Sequence, residues 1–208
     1  AIDGGKDSLS MSRTIDGKRI RSPNEFVVTG YSTMRNVQNH VAPDFKQSGS
    51  DIVYIDLGLN KYRMGGSALC QTIGTYFHES PNFENMERFP AIFNMIQFLI
   101  NNGHIDAIHD RSDGGLITTI TEMCMASNIG ANITVVNREV EPHNYFFSEE
   151  LGLVIEGNYT RIKTCIGKMV PVHKIGVTTD IPKLSITYNT LDICDIDIRD
   201  LRSAWEET

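Results

Sequence analysis

The stretch that most constrains the fold of this chain runs from Ile105 to Leu116, where a strand passes into a helix through a short acidic loop. The residues before the loop predict a short buried strand that ends in polar side chains. The paired glycines Gly114 and Gly115 then open a segment in which apolar residues recur every three or four positions. This spacing predicts one buried face of a helix, with Gly130 as the C′ residue at its end.

This loop lies where proteins bind anions, because the first turn of a helix has unpartnered backbone N–H groups and a partial positive charge. It also carries two carboxylates, Asp110 and Asp113, which repel a phosphate unless a divalent cation lies between the carboxylates and the phosphate. Mg²⁺ suits that position, since it takes carboxylate, phosphate and water oxygens as ligands, and the Ser112 hydroxyl can donate to a phosphate oxygen. Two interpretations stay open: a magnesium-bridged phosphate site, and an ordinary helix N-cap with glycine punctuation, which is the commoner reason for such residues.

Length and composition set the class of the protein. A chain of 208 residues with 40% hydrophobic content can bury one good core and a second small unit. Strand-like and helix-like segments alternate along it, which favours the α/β (α+β) class. The formal net charge of −7 is spread without a basic stripe, so we expect no nucleic acid and no anionic membrane surface as a partner.

The cysteines indicate a reducing compartment. All four are far apart in sequence and form no Cys-x-x-Cys pair, which argues against a zinc site. Three of them lie among apolar residues, as reduced thiols inside a cytoplasmic protein do. No apolar run approaches the length that spans a membrane. A cytoplasmic location is therefore expected.

A second candidate phosphate loop opens the chain, which begins with Ala rather than an initiator Met. Two glycines there permit tight backbone curvature, and a cation, a carboxylate and a hydroxyl follow within one turn, a set that suits a metal-bound phosphate. The residues are Gly4, Gly5, Lys6, Asp7 and Ser8. Their spacing is not that of a Walker A loop, and an ordinary turn is the simpler interpretation. A domain seldom begins on such a loop, so we expect a piece of a longer protein.

Further elements follow from hydrophobic periodicity and turn residues. Those predicted for the first half are an exposed turn over 13–21, a strand over 26–30, a linker over 36–50, a strand over 52–58 and a second paired-glycine loop over 65–67. An amphipathic helix on Leu69, Ile73 and Phe77 follows that loop. A second helix over 89–100 has its apolar residues on one face.

The remaining segments predicted for the second half are a strand over 131–136, a turn and strand over 145–155, a helix over 161–169, strands over 173–177 and 184–188, and an acidic tail. Glu149 and Glu150 stand in the turn before one of these strands. They are candidate acids or metal ligands, although exposed carboxylates at the start of a helix are commoner.

Five motifs, in order, resemble the phosphoribosylformylglycinamidine synthase (formylglycinamide ribonucleotide amidotransferase) family of the long single-chain type. They are Gly-Gly-Lys-Asp-Ser-Leu-Ser-Met at 4–11, Gly-Gly-Ser-Ala-Leu at 65–69, His-Asp-Arg-Ser-Asp-Gly-Gly-Leu at 109–116, Phe-Ser-Glu-Glu-Leu-Gly at 147–152 and Leu-Arg-Ser-Ala-Trp-Glu-Glu-Thr at 201–208. The match is to the second half of the synthetase region, just ahead of the glutaminase domain.

The resemblance implies a mixed β-sheet flanked by helices, as in the C-terminal domain of the aminoimidazole ribonucleotide synthetase superfamily. That domain is expected over 48–190, after the end of an ATP-binding N-terminal-type domain and a linker over 1–47. Residues 191–208 are expected to form a tail that leads towards the glutaminase domain. The other synthetase half and the glutaminase domain are the implied partners, and the exposed face left without them makes a homodimer of the isolated piece a further expectation.

By resemblance, the function is an ATP- and glutamine-dependent ligase of purine synthesis. ATP activates the amide oxygen of formylglycinamide ribonucleotide as an iminophosphate, and ammonia from glutamine displaces phosphate. The implied cofactors are Mg²⁺ and ATP or ADP, with small-molecule nucleotides as substrates. Asp110 resembles a Mg²⁺ ligand and Ser112 a nucleotide contact. Gly5 is implied in nucleotide binding, and Lys6, Asp7 and Ser8 lie in a loop near nucleotide and substrate phosphate.

Two other functions stay open. Long members of the family have two pseudo-symmetric nucleotide sites, so the first alternative is a non-catalytic module that holds a structural nucleotide. A phosphohydrolase of the His-Asp type is disfavoured, because the pair His109 and Asp110 ends a strand and further histidine ligands on helices are missing. Whether the chain is part of the ligase or a structural nucleotide module, the isolated piece is expected to be inactive.

Overall fold

The structure, a computed structural model, describes residues 2–7, 10–22, 26–34, 36–84 and 86–207. The chain divides into two compact units, Ala1–Gln38 and Asn39–Thr208. Within the described residues, no helix has the length and apolar character that crossing a membrane requires.

The first unit begins with a strand where the sequence suggested a loop. Strand β1 (Ile2–Asp7) pairs antiparallel with β4 (Phe26–Gly30). Gly5 lies opposite Val28 in this ladder, and a Cβ on Gly5 would run into the carbonyl oxygen of Val27. Glycine is thus required there by the close approach of two strands rather than by a turn. The strand predicted to end at Gly30 is confirmed.

A hairpin replaces the predicted exposed turn over 13–21. Strands β2 (Ser12–Ile15) and β3 (Lys18–Arg21) pair antiparallel and are exposed throughout. Asp16 and Gly17 join them, both with positive φ, 50° and 76°. Asp-Gly in this conformation is the preferred two-residue connection between antiparallel strands, a local signal that the sequence analysis missed.

The second unit consists of seven strands and six helices in the described residues. In chain order they are β5 (Asp51–Asp56), α1 (Ala68–Ile73), α2 (Phe89–Asn101), β6 (Ile105–Arg111), α3 (Gly115–Ser127), β7 (Gly130–Val135), α4 (Pro142–Phe147), β8 (Gly152–Gly157), α5 (Tyr159–Ile166), β9 (Val172–Thr179), β10 (Lys183–Tyr188), β11 (Leu191–Asp197) and α6 (Ile198–Glu206). A 3₁₀ turn, Val37–Asn39, lies at the junction with the first unit.

The seven strands form one sheet in the order β11-β10-β7-β9-β5-β8-β6. Neighbouring strands are antiparallel except β10 and β7, which are parallel. The sheet is therefore mixed, and with its flanking helices it confirms the predicted fold class. Because β5, β6, β7 and β10 run in the same direction, the loops that follow them meet at one edge of the sheet.

Helices cover both faces of the middle of the sheet. In β5, Ile52 and Tyr54 belong to the apolar cluster under α3 and α6, whereas Val53 and Ile55 belong to the cluster under α2 and α5. A strand buried on both faces explains the continuous apolar run in the sequence. The predicted apolar face of α2 is confirmed, since Ile92, Ile96 and Leu99 are buried and Met95 packs against the same cluster.

Helix α3 ends earlier than predicted. Its C-cap is Asn128, in the left-handed conformation with φ 59°, whereas Gly130 is already the first residue of β7. A Cβ on Gly130 would collide with the carbonyl oxygen of Ile181. Asparagine tolerates the left-handed conformation, so Asn128 can end the helix. Gly130 instead allows β7 to approach the backbone of Ile181 closely.

Helix α1 is also shorter than predicted. It stops at Ile73 because Gly74 adopts the left-handed conformation, with φ 65°. Ile73 is 60% exposed and Phe77 38% exposed, so the predicted core packing of these two residues is wrong. Six residues provide too little length to turn all three predicted apolar positions towards one core.

Residues 191–206 form regular structure rather than a tail. Strand β11 pairs with β10 at one end of the sheet, and α6 packs against α3 through the fully buried Ile198. The helix starts at Asp197, whose side chain accepts a hydrogen bond of 2.9 Å from the backbone N–H of Arg199. The acidic residues of this region cap a helix and face solvent beside a buried apolar anchor.

Asn128 and Gly130, near the end of α3, lead to a pair of predictions. Gly130→Ala is expected to destabilise the protein by about 3 kcal/mol, because the new methyl group must displace backbone. Asn128→Gly is expected to stabilise it by about 0.5–1 kcal/mol, because glycine adopts positive φ without strain. Urea denaturation of both variants measures the effects. Equal stability of Gly130→Ala and the parent would contradict the assigned strand packing.

Candidate functional site

Three segments lie at the edge of the sheet where β5, β6 and β7 end. We call this region the loop edge and define it as residues 57–67, 112–114 and 136–151. Ligands of α/β proteins commonly bind in crevices beyond the carboxyl ends of strands. The loop edge contains the central acidic loop and the second paired-glycine loop of the sequence analysis.

The paired glycines at the start of α3 are required by the backbone. Gly114 and Gly115 have φ of 81° and 76°, backbone values that residues with a Cβ atom rarely adopt. A Cβ on Gly115 would lie 2.7 Å from the carbonyl oxygen of Phe146. Gly115 therefore packs against the protein's own backbone, so it is not open for the close approach of a ligand.

One carboxylate connects the two paired-glycine loops. Oε1 of Glu149 accepts hydrogen bonds of 2.8 Å from the backbone N–H of Gly114 and of Ala68, at the starts of α3 and α1. Helix starts favour negative charge, and Glu149 supplies it to both. The backbone N–H of Gly114, which the sequence suggested could bind a phosphate, is thus already bonded to the Glu149 carboxylate.

The neighbouring carboxylate, Glu150, is fully buried and binds Arg63. The guanidinium donates from Nε to Oε1 at 2.6 Å and from Nη2 to Oε2 at 2.8 Å. Arg63 also contacts Glu84 at 2.7 Å, and these two carboxylates raise the pKa of Arg63, the bond to Glu150 most strongly. Neither Glu149 nor Glu150 is an exposed carboxylate at its own helix start. Both tie loops together.

A buried arginine underlies this arrangement. Arg111, 3% exposed, donates to the hydroxyl of Tyr54, to the Ser148 hydroxyl, and to the carbonyl oxygens of Ser148 at 2.8 Å and Tyr145 at 3.2 Å. Tyr54 in turn donates to Asp56 at 3.2 Å, and burial raises the pKa of that carboxyl. No motif in the sequence singles out Arg111. Its only signal was a cation at the end of a strand predicted to be buried.

Asp110 and Ser112 lie on either side of Arg111 and face solvent. The Asp110 side chain is 69% exposed, with Oδ1 at 3.2 Å from Nδ1 of His109. The other imidazole nitrogen of His109 lies 3.1 Å from Oε2 of Glu122 on α3. Ser112 is exposed, and its carbonyl accepts from the N–H of Gly115 at 3.0 Å. The structure thus places both residues at the start of α3, where a ligand can reach them.

The N-terminal candidates lie in the other unit of the chain. Gly5 is part of β1, as described above, and the backbone of Lys6 and Asp7 continues that strand. The side chains of Lys6 and Asp7, and all of Ser8, fall outside the residues that the structure describes.

Asp110 does not belong to a ready-made cluster of metal-binding side chains in the part of the chain that the structure describes. Across the described ranges, no three His, Cys, Asp or Glu side chains are grouped so that they could hold a metal ion. A single exposed carboxylate still suits Mg²⁺, which usually keeps one or two carboxylates and takes its other oxygens from phosphate and water.

The loop edge also contains an open cavity of about 810 Å³, within the usual size of a ligand pocket. It lies beside the paired-glycine loop over 65–67, and both aromatic and charged side chains line it. The lining residues are Lys61, Tyr62, Arg63, Met64, Phe77, His78, Glu79, Ser80 and Asn144.

Removal of Arg111 tests the buried network. Arg111→Met leaves the carbonyl oxygens of Ser148 and Tyr145 without donors, and we expect a loss of about 3 kcal/mol in unfolding free energy. The matched control is Arg161→Met on the exposed side of α5, for which the expected change is within about 0.5 kcal/mol. Chemical denaturation of both variants gives the comparison. Equal effects would show that the buried hydrogen bonds contribute little.

Removal of the Glu149 carboxylate tests the connection between the loops. In Glu149→Ala, the amides of Ala68 and Gly114 lose a shared acceptor, so their hydrogen exchange should speed up together, with a loss of about 1–2 kcal/mol in stability. Glu149→Gln keeps an acceptor oxygen and should retain most of the protection. Faster exchange at only one of the two amides would contradict the bridging role.

Comparison with known proteins gives this geometry a family context. The family model for the AIR synthase related protein, C-terminal domain, matches residues 48–189. Over its whole length, the chain is 36% identical to a probable phosphoribosylformylglycinamidine synthase, chloroplastic/mitochondrial, of Arabidopsis thaliana and 29% identical to phosphoribosylformylglycinamidine synthase of Homo sapiens. It spans 15% and 16% of the lengths of these curated relatives.

Solved structures show the same fold. Thermotoga maritima PurL complexed with ATP superposes with a TM-score of 0.63 at 12% identity, over 84% of this chain and 28% of that chain. The same protein complexed with FGAR gives a TM-score of 0.57 at 14% identity, over 85% of this chain and 30% of that chain. The family model and the curated relatives confirm the resemblance that the five motifs indicate. The chain belongs to the AIR synthase related family, whose C-terminal domain it contains over residues 48–189.

Proposed function

We propose that this chain is one part of an ATP- and glutamine-dependent ligase that converts formylglycinamide ribonucleotide to formylglycinamidine ribonucleotide in purine biosynthesis. The observation that carries the proposal is similarity over the whole chain to phosphoribosylformylglycinamidine synthases. The partners are then the other synthetase half and a glutaminase domain, and the isolated chain is inactive. Four free cysteines are consistent with a cytoplasmic location.

The contribution of this chain is to bind a magnesium nucleotide at the start of α3. Asp110 would hold the ion through its exposed carboxylate, and the Ser112 hydroxyl would donate to a phosphate oxygen. Mg²⁺ would neutralise phosphate charge where Asp110 and Asp113 otherwise repel it. Solved structures of the same fold support the nucleotide, since Thermotoga maritima PurL forms complexes with ATP and with ADP. Gly5 stays proposed as a nucleotide-binding residue, and Lys6, Asp7 and Ser8 stay proposed as a substrate or phosphate loop.

A second candidate is a non-catalytic module that holds a structural nucleotide. The bridge from Glu149 to Gly114 and Ala68 favours it, because this carboxylate already fixes both helix starts. A nucleotide bound beside loops that are held in this way adds stability to the fold by binding the native state alone. The two candidates share Asp110 and differ in whether the bound nucleotide reacts.

Asp110→Asn in the intact longer enzyme separates these candidates. We expect nucleotide affinity at one site to fall at least about tenfold, since even outer-shell partners of metal ligands are worth about 10–100-fold in affinity. Asp180→Asn, which changes an exposed carboxylate just after β9 at the opposite edge of the sheet, is the matched control. Nucleotide content by mass spectrometry, Mg²⁺-dependent binding and turnover per folded enzyme are the measurements.

The outcomes discriminate clearly. A loss of both nucleotide and turnover supports the catalytic role of the site. A loss of nucleotide and thermal stability with normal turnover per folded molecule supports the structural module. Unchanged nucleotide content and unchanged activity in Asp110→Asn would exclude Asp110 as a ligand.

A further inference from the structure

We propose that a second, smaller cavity at the loop edge binds a small oxyanion, meaning a carboxylate or phosphate group. The cavity has a volume of about 160 Å³ and lies between the end of β7, the start of β9 and α4. We call it the Tyr145 cavity. Its polar lining consists of Asn60, Tyr62, Thr134, Asn137, Tyr145, His173 and Lys174. The proposal does not depend on nucleotide binding at Asp110.

The first observation is an unused hydroxyl. Tyr145 is 4% exposed, packed between the rings of Tyr62, Phe146 and Tyr188. Among the described residues, its hydroxyl has no hydrogen-bond partner. Every side-chain polar atom in those residues that is fully shielded from solvent does have a partner, so this hydroxyl is not fully shielded. The hydroxyl is therefore reached from the cavity that Tyr145 lines. A buried tyrosine usually finds a partner for this group, so the site offers a donor for a ligand.

The second observation concerns His173 at the cavity wall. Its ring stacks on Tyr54 with centroids 6.3 Å apart, and within the described ranges neither ring nitrogen has a hydrogen-bond or ion-pair partner. Burial lowers the pKa of His173, so the neutral ring with one N–H donor is favoured at neutral pH. Tyr145, which is buried, and His173, which is exposed to solvent, thus both line this cavity with a group that can donate.

The third observation is the absence of negative charge from the lining. No Asp or Glu is among the residues that line the cavity, whereas Lys174 is, with its ammonium group 2.5 Å from Asp51. The buried carboxylate of Asp56 does not line the cavity, although its charge acts on Tyr62, Tyr145 and His173. Its oxygens already accept from the N–H groups of Gly58 and Asn60 and from Tyr54. Donors without lining carboxylates favour an oxyanion over a cation.

The volume limits the ligand. A cavity of about 150 Å³ accepts a molecule of the size of benzene, and the Tyr145 cavity has about 160 Å³. A carboxylate or a phosphate group fits as a free ion or as the anionic end of a larger molecule. The chemistry required of the ligand is the same in both cases.

The experiment is an NMR titration of the 208-residue chain with inorganic phosphate, acetate and AMP, followed on the side-chain signals of His173 and Tyr145. We expect a saturable shift with phosphate or acetate. Tyr145→Phe, which removes only the hydroxyl, should weaken binding about tenfold. Tyr159→Phe, on the opposite face of the sheet, is the matched control and should bind as the parent does. His173→Gln is a second variant and should also weaken binding.

Each outcome decides the proposal. Saturable binding of phosphate or acetate that weakens in both cavity variants supports it. A similar response to AMP then identifies the cavity as one end of a larger site, and no response to AMP identifies a site for free ions. No saturable shift, or equal binding in the parent and both cavity variants, overturns the proposal. Binding to the cavity and binding at Asp110 are measured separately, so either can fail alone.

Discussion

The interaction on which the rest of this structure depends is the burial of the Arg111 guanidinium. A buried cation is costly unless its donors find acceptors, and here they find Tyr54 in the central strand and the backbone of the segment after α4. Three separate elements, β5, β6 and α4, are thereby fixed to one another. The position of the residues that follow Ser148 is a direct consequence.

Those residues organise the loop edge. Glu149 reaches two helix starts at once, and Glu150 holds Arg63 in the loop after β5. Tyr145, one turn earlier on α4, is placed with its hydroxyl open to a small cavity. The same segment thus connects a core arginine, two glycine loops and a candidate anion site. Rigid support of this kind is what a ligand-binding loop needs in order to keep its geometry.

Alternation along β6 separates structural and candidate functional residues. Successive side chains of a strand point to opposite sides, so Arg111 enters the core whereas Asp110 stays exposed beside His109. Local patterns predicted this strand, helix α2 and the doubly buried β5, because periodicity reflects which faces are covered. The predicted end of α3 at Gly130 was wrong, because asparagine and glycine both suit the end of a helix and the sequence offers Asn128 as well as Gly130. Only the contact of Gly130 with Ile181 distinguishes them.

The sequence by itself determined the fold class, the family and the place of the acidic loop between β6 and α3, since periodicity, glycine pairs and five ordered motifs are all local properties. Tertiary structure alone decided that Glu149 joins two loops 81 and 35 residues away in sequence, and that Arg111 is buried. Hydrogen bonds across such separations depend on how strands are ordered in the sheet. No spacing in the chain encodes that order directly, and for this reason the loops were predicted singly and only the fold brought them together.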